Sequence, residues 1–168
     1  MEIAEASKAQ AVELIQLVSF RLGQEEFGVE ILKVQEINRM VEITKVPQAP
    51  HYCEGVINLR GKVIPVINLR KKFGLEELEW DKSTRILVCD VGGDVVGVIV
   101  DSVEEVIKIP RSTIEPAPEI VSSIDSEYIE GIAKLEKNLL IFLNVGKVTS
   151  DVSHLATSVE PQLEPELV

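Results

Sequence analysis

The chain has 168 residues, 45% of them apolar, and a formal net charge of −11. That is enough for one domain with a real core, or for two very small ones sharing an interface. The acidity, with aromatic residues at only 4%, argues against a nucleic-acid partner, whose phosphates demand a basic surface and whose bases stack on aromatic platforms. Two cysteines, Cys53 and Cys89, make no disulfide framework; each lies among apolar residues and reads as a reduced, buried thiol, as in a reducing compartment. Residues 1–13 read as neither signal peptide nor anchor, and no apolar stretch is long enough to span a bilayer, so the expectation is a cytoplasmic protein without direct membrane insertion.

Residues 14–22 are rich in β-formers and end at a turn around Gly23, with 27–30 resuming extended structure as a hairpin. The period then changes. Ile31, Val34 and Ile37 fall at helical spacing while Leu32 and Glu36 share another face, so 31–38 reads as a short helix, apolar on more than one side. A second extended run, 40–46, is stopped by Pro47 and Pro50. The clearest hairpin follows, 56–60 and 63–69 around Gly61-Lys62, where glycine at the first loop position suits a type II′ turn. Pro65 in the returning strand points to an edge or a bulge. The triplet Asn-Leu-Arg occurs at 58–60 and again at 68–70, which is too little for a repeat.

One helical turn at 69–73 leads into a polar, acidic linker at 75–84 around Trp80. The hairpin 86–91 and 95–100 is almost continuously apolar, which in an antiparallel protein means burial on both faces and hence a second layer. A strand at 104–109, a loop at 114–126, a last hairpin of 129–135 and 139–143, and a helical turn at 144–149 complete the chain. The expected class is all-β with minor helix, a domain over 14–150 flanked by flexible acidic tails at 1–13 and 151–168. The second tail carries Asp151, Glu160, Glu164 and Glu166 and no Lys or Arg.

Catalytic, cofactor and metal chemistry finds little footing. His51 and Cys53 form an H-x-C pair, but the remaining ligand-type residues, Cys89 and His154, are remote in sequence. Neither Gly23…Gly28 nor Gly92-Gly93 opens a helix as a phosphate loop does, and no serine sits in a nucleophile elbow. Adjacent carboxylates such as Glu104-Glu105 point to opposite faces of a strand and read as solvated surface.

Four strings, in order, resemble one family. Residues 27–37 (FGVEILKVQEI) are similar to the helix segment of CheW-like domains, and 55–61 with 63–69 (GVINLRG, VIPVINL) to their most recognisable hairpin. Residues 96–103 (VGVIVDSV) resemble the central strand of the second half, and Tyr128-Ile129-Glu130-Gly131 the approach to the last hairpin. The resemblance implies two packed five-stranded SH3-like β-barrels. It also implies a non-enzymatic adaptor that couples the cytoplasmic tips of chemoreceptors to the regulatory domain of a CheA-type histidine kinase. Receptor tips would dock in the groove between barrels and the kinase on barrel ends, with no catalytic residue, cofactor or metal. Carried over residue by residue, it implies partner contacts at Val34, Glu36, Arg60, Gly97 and Val106, with Glu36 and Arg60 forming a salt bridge beside the receptor groove. An enzyme on a barrel scaffold, an oligonucleotide-binding barrel and a coupling protein of another pathway are the competing expectations.

Overall fold

The computed structural model describes residues 13–117 and 124–152. Eleven strands are arranged in two mixed sheets. Their spans are β1 Leu14–Leu22, β2 Glu25–Glu30, β3 Val34–Arg39, β4 Cys53–Leu59, β5 Lys62–Asn68, β6 Arg85–Val91, β7 Asp94–Val100, β8 Ser102–Pro110, β9 Ile114–Glu115, β10 Ile129–Lys134 and β11 Leu139–Leu143. Two short helices, α1 (Leu69–Lys72) and α2 (Val145–Thr149), follow β5 and β11. One sheet has the order β8-β1-β2-β11-β10-β9 and the other β3-β6-β7-β5-β4. The class is all-β with minor helix, as expected; one sheet has six strands rather than five because β9 adds a two-residue strand.

Three expectations need correction. Residues 31–38 are not a helix: a single 3₁₀ turn, Ile31–Lys33, leads straight into β3. The tight turn lies at Arg60-Gly61, not Gly61-Lys62, since Leu59 pairs with Lys62. Both turn residues have positive φ, 52° and 83°, which is type I′ rather than II′. Of the run 40–46, only Thr44 is paired, in a bridge to Val56.

Both sheets curl. Chain leaving β3 at one edge reaches the far side of β4 by Thr44. A flat sheet would place those points five spacings apart, about 24 Å, whereas five residues reach at most about 18 Å. The same holds where β8 hands over to β9. Curling gives each sheet two different faces. Leu87 and Cys89 of β6 join the large cluster between the sheets, with Phe20, Phe27, Val98 and Ile141. The alternate residues Ile86 and Val88 pack with Ile57, Ile64, Val66 and Ile99 inside their own sheet. Ile15, Leu17, Ala133, Leu140 and Phe142 fill the other. The two-faced burial read from the apolar run at 86–100 is therefore real.

The chain is also duplicated. The Asn-Leu-Arg triplets are unrelated to this, lying at two ends of one hairpin. Each half has two hairpins, β1–β2 with β4–β5 and β6–β7 with β10–β11, the second of which runs into a short helix; each first hairpin pairs in parallel with the last strand of the other half's second hairpin, β2 with β11 and β7 with β5. Gly28 and Gly97 take equivalent places: a Cβ would lie 2.8 Å from Leu140 Cδ2 in one and 2.8 Å from Ile86 Cγ2 in the other. The halves are interlocked. The six-stranded sheet takes β1 and β2 from the first half and the rest from the second, while the five-stranded sheet takes β6 and β7 from the second.

Polar contacts pin the two sheets together. Arg70 of α1 donates from Nε and Nη2 to Asp101 at 2.9 and 2.6 Å, and Asp101 also accepts from Gly23 N–H at 2.8 Å. Lys72 is almost fully covered and sits over the rings of Tyr52 and Tyr128, with Asp151 3.2 Å away. Just past the boundary expected at 150, the exposed Asp151 accepts from Tyr52 Oη–H at 2.9 Å and Val152 is fully buried. The expected tails at 1–12 and 153–168 lie outside the described residues.

Candidate functional site

Strand β3 ends its sheet, so one of its edges is open among the described residues. Its register carries a bulge between Val34, opposite Cys89, and Glu36, opposite Val88. From there burial alternates with period two. Val34, Glu36 and Asn38 are half-buried while Gln35, Ile37 and Arg39 face out. Glu36 is thus a strand residue whose carboxylate emerges at the margin of the sheet.

Arg60 meets it there from the tip of the β4–β5 hairpin, and the guanidinium donates from Nη1 to Glu36 Oε2. Asn58 Oδ1 accepts from Gly61 N–H and holds the turn closed. First positions of type I′ turns belong to Asn, Asp or Gly, because a side chain at positive φ crowds the backbone. An arginine held at φ 52° costs about 1 kcal/mol relative to an ordinary conformation. Arg60 is mostly exposed and Glu36 only partly so, so a pair that adds little to stability is held on a strained turn.

Of the residues singled out from sequence, the fold brings Glu36 and Arg60 into contact and keeps Val34 on the same strand, where it packs against the core between the sheets. Gly97 does not join them. It is buried in β7 between Val66 and Val88, where a Cβ would lie 2.8 Å from Ile86 Cγ2. Val106 is exposed but lies on β8 of the other sheet. Sequence reasoning passes over Leu32 (85% exposed), Ile37 (42%) and Val41 as surface residues, because a helix reading of this segment gives its apolar side chains a packed face. A groove of about 440 Å³ opens where β2 hands over to β3, lined by Leu14, Ile31, Leu32, Lys108 and Arg111 among others.

Both thiols are free and buried. Burial pushes Cys53 up and Cys89 up to about 12. Next to Cys53, His51 makes an edge contact with Tyr52. Among the described residues no group of three or more His, Cys, Asp or Glu is placed to hold a metal ion. No helix among them is long and apolar enough to cross a membrane.

Comparison with known proteins places this geometry. Residues 16–153 match the CheW-like domain model. The chain is 39% identical over 131 residues to the chemotaxis protein CheW of Klebsiella aerogenes, covering 78% of this chain and 79% of that protein. It is 38% identical over 136 residues to the chemotaxis protein CheW of Helicobacter pylori, covering 81% and 82%. The crystal structure of the scaffolding protein TtCheW from Thermoanaerobacter tengcongensis superposes with a TM-score of 0.75 at 41% identity, covering 81% of this chain and 88% of that one. The chain belongs to the CheW-like domain family.

Proposed function

We propose that the chain is a non-enzymatic adaptor of bacterial chemotaxis signalling. It couples the cytoplasmic tips of transmembrane chemoreceptors to the regulatory domain of a CheA-type histidine kinase, and is recruited to receptor arrays at the inner membrane. Family membership supports the class of function, since relatives carry the name of a chemotaxis protein and the solved one is described as a scaffolding protein.

The observation that carries the site is Arg60 at positive φ beside Glu36. Strain kept at an exposed position points to use rather than to folding. The paired charges fix the register of an incoming receptor helix and reject wrong alignments, while Val34, Ile37 and Leu32 supply apolar contact. Holding two partners on one body raises their effective concentration. Mixing the purified chain with a receptor cytoplasmic domain and the kinase tests this. The kinase should co-sediment with receptor only when the chain is present. Absence of bridging, or phosphotransfer by the chain alone that survives repurification, overturns the reading.

A further inference from the structure

The last described segment is held differently from the strands before it. Residues 145–152 comprise α2 and one further turn, and among the described residues they pair with neither sheet. Their backbone bonds stay local: Val148 N–H donates to Asn144 O and Val152 N–H to Thr149 O, both at 3.1 Å. Thr149 Oγ1–H also turns inward, to Val145 O at 2.8 Å. No sheet bond has to break for this segment to lift. Side chains tie it to the body. Val145, Val148 and Val152 are buried in the cluster between the sheets, and Asp151 reaches Lys72.

Lys72 belongs to α1, in the first half of the chain, and its side chain is only 4% exposed. The ammonium lies 4.1 Å from the Tyr52 ring centre and 5.1 Å from that of Tyr128, so two π faces cover it. Among the described residues Asp151 is the one carboxylate within ion-pair distance of Lys72, at 3.2 Å. The same carboxylate accepts from Tyr52 Oη–H. A covered ammonium needs its counter-charge far more than an exposed one does. Here that counter-charge is carried by the segment that no sheet bond holds.

We propose that residues 145–152 form a strap that opens as a unit from the folded body, and that the Lys72 ammonium is its latch. In the closed state Asp151 neutralises Lys72, and the three valines seal the cluster between the sheets. Opening withdraws the carboxylate and uncovers the seat of α2, made by the turn Ser126–Tyr128 and part of β6. Proteins open locally in such cooperative units, below the free energy of global unfolding. The strap does not depend on the adaptor reading.

Amide hydrogen exchange on the full chain tests this. In the unaltered protein Val148 and Val152 N–H should share one level of protection, lower than that of the β6 amides. Lys72→Met and Asp151→Asn should each speed exchange at Val148 and Val152 by about tenfold. The double variant should be no faster than the faster single, because both singles break the same contact. Gly97→Ala, which crowds Ile86 inside another cluster, should speed the β6 amides and leave the strap amides unchanged. Strap amides as protected as β6, and accelerated with it by Gly97→Ala, would show that the segment opens only with the whole fold. Unchanged strap exchange in both singles, or effects that add in the double variant, would show that Lys72 and Asp151 form no latch.

Discussion

Glu54 and Glu130 stand at the same place in the two halves of the chain: each accepts a hydrogen bond from the side-chain amide of an asparagine 14 residues later, Asn68 and Asn144. Each asparagine turns its Oδ1 to cap the short helix that follows, Asn68 on Arg70 N–H and Lys71 N–H, Asn144 on Lys147 N–H. The glutamate orients the cap, and the cap ends the last strand of its hairpin.

Removal of either cap should destabilise the protein, and not equally. An N-cap is worth about 1 kcal/mol. Asn68 is buried, and Asn68→Ala also removes its part-buried hydrogen bond to Glu54, which keeps only its ion pair with Lys71 at 3.0 Å. Asn144 and Glu130 pair in the open. Denaturant titration should show Asn68→Ala costing about 2 kcal/mol and Asn144→Ala about 1. Equal losses would mean that the burial of the Asn68–Glu54 hydrogen bond adds nothing.

Gly97→Ala should cost about 1–3 kcal/mol, because its methyl group overpacks against Ile86 on a central strand. Gly28→Ala should do the same against Leu140. The folded fraction of Gly97→Ala should still capture receptor at the level of the unaltered chain. Loss of capture by fully folded protein would mark Gly97 as a contact residue.

Much of this is legible in the sequence. Apolar runs bounded by Gly or Pro mark the hairpins, and the almost continuously apolar strands at 86–91 and 95–100 announce two-faced burial, since Leu87 and Ile86 each need a core. The segment 31–38 imitates a helix for a physical reason. Beside the bulge at Gln35, the half-buried face of β3 carries Glu36 while Ile37 faces water. A pattern that puts its charge inward and its isoleucine outward does not look like a strand. The duplication stays hidden because what repeats is a few residues tied to strand register, Gly28 with Gly97 and Glu54 with Glu130, and the spacing between them differs in the two halves. The pairing of Glu36 with Arg60 comes from the family resemblance; only the strain at Arg60 requires coordinates.

Asp101 should give the protein a component of acid sensitivity. Burial pushes its carboxyl up, but hydrogen bonds from Arg70 and Gly23 N–H and the charge of Arg70 outweigh that and hold it below the ordinary range. A carboxyl depressed by folding contributes stability above its unfolded value, about 3.9, and the contribution is lost as pH falls through the lower folded value. Asp101→Asn should therefore be less stable than the unaltered chain near neutrality, with the gap closing below about pH 4. A gap that is constant with pH would show that the charge on Asp101 is immaterial.

Cys53 and Cys89 should not react with a thiol reagent while the protein is folded. Both are buried and both are held in the thiol form by that burial, and the thiolate is the nucleophile. Titration at about pH 8 should find neither thiol in the native protein and both in denaturant. Rapid reaction of Cys89 in native buffer would mean that β6 opens far more readily than its two-sided packing allows.

The measurement that bears most directly on the adaptor reading is receptor capture by Arg60→Asn. An asparagine followed by Gly61 is the preferred type I′ pair, so the substitution removes the guanidinium from Glu36 while relieving the backbone. The account predicts a thermal midpoint at or above that of the unaltered chain, because the exposed pair itself is worth about 0–1 kcal/mol. It predicts receptor capture weaker by about tenfold. Full capture by Arg60→Asn would contradict the claim that this pair aligns the receptor, and a collapsed midpoint would show that Arg60 serves the fold instead.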